Sequence, residues 1–99
     1  MSLAEIQALW DRHERRQFPA GYRSQKFFNK NLTMWDSEIG GLILAFIQTG
    51  GRLGARQNLV MEQARSELPQ IADQLEGDAK EYMHELAVLV DKVLQLAST

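Results

Sequence analysis

The sequence predicts an all-α domain, an irregular four-helix bundle whose first two helices are joined by an ordered, aromatic-rich connection. Two observations carry that class. The first is Ile39-Gly40-Gly41-Leu42-Ile43-Leu44-Ala45-Phe46-Ile47, a run with no charge at all. The second is that apolar residues recur every three or four positions in the other segments, and no second strand-like run exists to pair with the first. At helical spacing Ile39, Leu42, Ile43, Phe46 and Ile47 share one face while Leu44 and Ala45 make the opposite side apolar, so neighbours should enclose this helix on most sides. Asp36 supplies an N-cap, Glu38 an acidic first turn and Thr49-Gly50-Gly51 a glycine stop, which sets the central helix at residues 36–49. Gly40 and Gly41 each cost about 1 kcal/mol against alanine, a cost that close approach by another group would offset.

The remaining elements follow in order. Ser2-Leu3-Ala4-Glu5 fits a capping box, and Leu3, Ile6, Leu9, Trp10 and His13 trace one face of a first helix running to Arg16. Phe18-Pro19-Ala20-Gly21 ends it with turn chemistry. Residues 17–35 mix Tyr22, Phe27, Phe28, Leu32, Met34 and Trp35 with basic residues in neither a helical nor a strand period; so many large apolar groups predict an ordered segment crossing the bundle, with one helical turn near Ser24 to Asn29. Leu59, Val60, Ala64, Leu68, Ile71, Ala72 and Leu75 stripe a third helix at 55–76, in which Pro69 predicts a kink or a restart. Gly77 and Asp78 separate it from a fourth helix at 79–97, carried by Tyr82, Leu86, Leu89, Val90, Val93, Leu94 and Ala97.

Composition narrows the function. Ninety-nine residues with 44% hydrophobic and 24% charged side chains make one soluble domain, residues 1–99, with a single core. The apolar run is about half of the roughly 20 residues a membrane span needs, which argues against a membrane partner. The net charge of −2 is unevenly placed: residues 1–58 hold eight Lys or Arg and five Asp or Glu, giving +3, and residues 59–99 hold three and eight, giving −5. No cysteine is present, so disulfides, thiol nucleophiles and thiolate metal sites are excluded. The N-terminal residues show neither a basic leader nor a long apolar stretch, and the expected location is the cytoplasm.

Four constellations are candidates for chemistry. Arg12, His13, Arg15 and Arg16, with Tyr22 and Arg23, concentrate hydrogen-bonding and aromatic side chains at the exit of the first helix, the mix used for anions and nucleic acid. Arg52 and Arg56 flank Gly54 at the entrance of a helix, where free N–H groups favour anions, although the glycine spacing matches neither a P-loop nor a dinucleotide fingerprint. Glu81 and His84 form a Glu-x-x-His pair on one helix face, half of the pattern of dinuclear metal bundles, but no second pair accompanies it. Val93, Leu94 and Ala97 keep the last helix apolar to its end. At 1.5 Å per residue the two later helices outreach the two earlier ones, so a homodimer through them is expected. No strand-turn-helix elbow or hydrolase triad is visible, and no cofactor is implied. The sequence therefore favours a small non-catalytic interaction or adaptor domain with an unknown protein partner. A nucleic-acid or other anion binder using the N-terminal basic segment is the second reading, and a metal-binding bundle the third.

Overall fold

The computed structural model describes residues 2–19, 21–22 and 25–98. It is an all-α bundle of α1 (Leu3–Glu14), α2 (Leu32–Gln48), α3 (Ala55–Asp73) and α4 (Gly77–Ala97), with a two-stranded hairpin, β1 (Lys26–Phe27) and β2 (Lys30–Asn31), between α1 and α2. α3 and α4 pack along each other as a hairpin, and α4 also touches both α1 and α2. The core runs from Ile6 and Trp10 through Trp35, Ile39, Ile43 and Phe46 to Met61, Leu68, Leu86, Leu89 and Val93.

α1 starts at Ser2 as expected, the Glu5 N–H donating to Ser2 Oγ at 3.2 Å, while the Glu5 carboxylate accepts from the Ser2 hydroxyl at 3.5 Å in place of the backbone bond of a full capping box. It ends at Glu14, two residues short of the sequence estimate, because the chain turns there and the Arg16 N–H donates to the His13 carbonyl, three residues back. α2 begins four residues before the expected 36. Its cap is Asn31, whose side chain accepts from the Met34 N–H at 2.9 Å, and Leu32, Trp35 and Ile39 then extend the buried face. Asp36 is thereby an interior helical residue, free to face another helix. Gly50 and Gly51, at φ of 75° and 95°, close α2 in the left-handed conformation, the Gly51 N–H donating to the Phe46 carbonyl at 2.8 Å.

The helical turn expected within 24–29 is a β-hairpin instead, Ser24 itself lying outside the described residues. Phe28 and Asn29 adopt φ of 52° and 69°, the pair of left-handed residues that a two-residue hairpin turn demands. The Trp35 indole donates to the Phe27 carbonyl at 2.9 Å, and Lys30 sits 4.4 Å from the centre of the Trp35 ring while pairing with Glu38. Those contacts tie the hairpin to α2 and compensate the strain of a phenylalanine at positive φ.

α3 shows no restart at Pro69; it is one continuous helix ending at Asp73 rather than 76. Leu68, Ile71 and Ala72 are buried on both sides of the proline, and that burial outweighs its loss of about 3 kcal/mol. The far end of α4 also differs from expectation. Val93 and Leu94 are buried in the protomer's own core and Ala97 is half-buried against it, so they offer no face for a second copy. The apolar side chains left most exposed lie elsewhere, at Leu59 (69%) and Met34 (51%).

The two glycines of α2 separate cleanly. A Cβ on Gly40 would stand 3.0 Å from the tip of the Trp10 ring, so this glycine lets α1 approach α2. A Cβ on Gly41 would meet nothing within 4 Å. Gly41→Ala should raise stability by about 1 kcal/mol, worth several degrees of melting temperature, whereas Gly40→Ala should lose that gain to the Trp10 contact. Thermal unfolding of the two variants checks the ordering; equal melting temperatures would show that Trp10 does not press on Gly40.

Candidate functional site

The α1 stripe Ile6–Trp10–His13 carries its last residue into the interior, where His13 is 1% exposed and the sole buried polar or charged side chain among the described residues. An imidazole so placed needs acceptors, and carboxylates at the edges of two other helices supply them. His13 Nδ1 lies 2.7 Å from Glu85 Oε1 of α4, a hydrogen bond in which the ring N–H donates to the carboxylate. His13 Nε2 lies 3.5 Å from Asp36 Oδ1 of α2, within ion-pair range but without a hydrogen bond. The Tyr82 hydroxyl donates to the same Asp36 oxygen at 2.8 Å, and its ring lies 4.4 Å from the imidazole, centre to centre. Arg16, just past the end of α1, reaches Glu85 and Glu81 at 3.4 Å each. One histidine thus joins three helices.

The electrostatics follow from that geometry. Burial by itself lowers the His13 pKa, but contact with Asp36 and Glu85 and their negative charge outweigh it, and the net shift is upward from 6.5. Burial pushes the Tyr82 hydroxyl up as well, and its bond to Asp36 adds to that, so it remains a donor. The imidazole and its two carboxylates do not make a metal centre, because the carboxylates lie at opposite ring nitrogens; among the described residues no group of three His, Asp or Glu side chains is placed to hold an ion.

Beside this cluster a cleft of about 260 Å³ opens between α1 and α2, with Trp10, His13 and Glu14 on one wall, Asp36, Ser37, Gly40, Gly41 and Leu44 on the other, and Tyr82 at its end. Two side chains that line it carry buried nitrogens without a hydrogen-bond partner, Trp10 Nε1 and His13 Nε2. A larger concavity of about 560 Å³ lies between Phe18, Pro19, Tyr22 and the start of α2, and no charged side chain among the described residues lines it. The buried imidazole belongs to the smaller one.

The other sequence candidates lie outside the His13 cleft. Arg12 is exposed and lines, together with Arg16, Glu81, His84 and Glu85, a groove of about 290 Å³, Arg15 donates to the Asp11 carbonyl of its own helix, and Tyr22 packs on the core. Arg23 lies outside the described residues. Arg52 and Arg56 are exposed, and the glycines before them serve to end α2, while the Gly54 N–H that opens α3 is satisfied by Gln57 Oε1 at 2.9 Å. Glu81 faces Arg16 and His84 is exposed, so the Glu-x-x-His pair does not converge with His13. Of the six residues proposed at the exit of α1, the structure brings His13 and Arg16 together on Glu85, and Arg16 together with Arg12 along one groove. It adds Asp36, Tyr82 and Trp10, which the sequence placed as cap or core, and Glu85, which no local pattern marked. Comparison with protein-family models, curated proteins and solved structures finds no match.

A raised folded-state pKa means that the folded chain holds its proton more tightly than the unfolded one, so the stabilisation is fully present below about pH 6.5 and is lost as pH rises through the folded value. The unfolding free energy should fall across that window in the wild type, and His13→Gln should remove the fall. Asp36→Asn deletes one of the two charges, and NMR titration of the His13 ring should then show a lower midpoint; an unchanged midpoint would mean that Asp36 does not act on the ring.

Proposed function

We propose that the chain is a small non-catalytic helical interaction domain whose recognition point is the cleft between α1 and α2. The observation that carries this reading is Gly41. A glycine inside an exposed helical surface costs about 1 kcal/mol against alanine. Gly40 offsets its cost by admitting Trp10, but nothing in the protomer occupies the space beside Gly41, which lines the cleft. A group from outside the chain would use that space. The unpartnered nitrogens of Trp10 and His13 on the same walls support the same conclusion, since a buried donor or acceptor left unmade costs about 1–3 kcal/mol. Against catalysis stands the setting of His13, whose ring is held between two carboxylates, with the Tyr82 hydroxyl beside it committed to Asp36.

Gly41→Leu extends a side chain from a position whose Cβ would meet nothing within 4 Å, and should block the cleft while keeping the fold. In affinity capture from the native cell extract, a protein retained by the wild type should be lost by this variant. Identical retention by both, or nothing retained beyond bare resin, would overturn the reading.

A further inference from the structure

The acceptors around the cleft are not all used within the chain. Asp36 gives Oδ1 to the Tyr82 hydroxyl, and no hydrogen bond or ion pair of its Oδ2 is found among the described residues. Glu14, on the opposite wall, is exposed and likewise forms no ion pair there. The charged and titratable groups around His13 are Glu14 and Arg16 from its own end of α1, Asp36 from α2, and Tyr82 and Glu85 from α4. Arg16 is turned to Glu85 and Glu81, which leaves Glu14 and Asp36 as the charges of the cleft itself. Among the described side chains that line the cleft, His13 is the only one that can carry a positive charge. When its ring is neutral and Nδ1–H donates to Glu85, Nε2 becomes an unpartnered acceptor, 1% exposed residue and all, beside Asp36. Leu44 and the open surface of Gly41 continue the cleft as an apolar shelf.

Resting on the reading of this cleft as a recognition point, we propose that its occupant is a lysine side chain of a partner protein, whose ammonium takes the place of the His13 proton between Asp36, Glu14 and the freed Nε2. The four-carbon stem lies along Gly41 and Leu44 under the Trp10 ring. Lysine fits better than arginine because a guanidinium fork wants both oxygens of a carboxylate, and one oxygen of Asp36 is already taken by Tyr82, whereas an ammonium binds as a compact point charge. Binding releases the His13 proton to solvent. The imidazolium and the bound lysine exclude each other, so affinity is coupled to pH.

The test uses the whole chain and Nα-acetyl-lysine amide as probe, followed by NMR at the Trp10 indole, the His13 ring and Gly41, with the arginine and norleucine amides for comparison. The lysine compound should shift all three signals saturably, and its affinity should rise about tenfold per pH unit while His13 is protonated, then level off. Glu14→Gln, an exposed change that leaves the core intact, should weaken binding about threefold. Equal binding by the norleucine compound would overturn the ammonium while leaving the cleft as a recognition point. Binding of lysine without pH dependence would overturn the exchange with His13. Absence of any shift from all three compounds would overturn the lysine occupant, and capture by the wild type that is lost in Gly41→Leu would then show that the cleft still recognises some other group.

Discussion

The hydrogen bond from His13 Nδ1 to Glu85, 2.7 Å long, is the contact on which the arrangement of the earlier half of the chain depends. α1 has only 12 residues, and its buried face consists of Ile6, Trp10 and His13. Two of these are apolar and non-directional. The third is directional: its Nδ1 hydrogen-bonds Glu85 of α4 and its Nε2 lies 3.5 Å from Asp36 of α2, fixing the rotation of α1 about its own axis as apolar burial alone would not. Trp10 is thereby set against Gly40, and the cleft beside Gly41 appears between the two helices.

Much of the fold was legible because local signals agreed with one another. The capping box at Ser2, the uncharged run at 39–47, the glycines at 50 and 51 and the stripe of α4 each pointed to the element that formed. The start of α2 was misread because two caps competed: Asp36 has the better position before the apolar run, yet Asn31 allows Leu32 and Trp35 to join the buried face, and four more helical residues outweigh the alternative. The hairpin was hidden because its turn is Phe28-Asn29, where a glycine would have announced it. At Pro69 the restart did not occur, since packing of α3 on α4, which carries the helix through the proline, is not visible in propensity.

The site was half legible. His13 stood at the end of an apolar stripe and was singled out, but its partners lie 23 and 72 positions away by sequence number, and nothing local marks them. A usable signal did exist: a histidine on a buried face requires carboxylates at the borders of other buried faces, and Glu85, three residues after Tyr82 on α4, sits on such a border. Asp36 was overlooked because it had been spent as a cap. The arginines around His13 drew attention for their charge, and all but Arg16 proved to be solvated surface or to lie outside the described residues.

The central claim is that an ionic hydrogen bond between α1 and α4 holds this arrangement. A double-mutant cycle of His13→Gln and Glu85→Ala, read by chemical unfolding at pH 6 and again at pH 9, tests it most directly. The account predicts a coupling of about 1–3 kcal/mol at pH 6 that is smaller at pH 9, because the charge on the ring is lost as pH rises through its raised pKa. Additive losses at both pH values would contradict it.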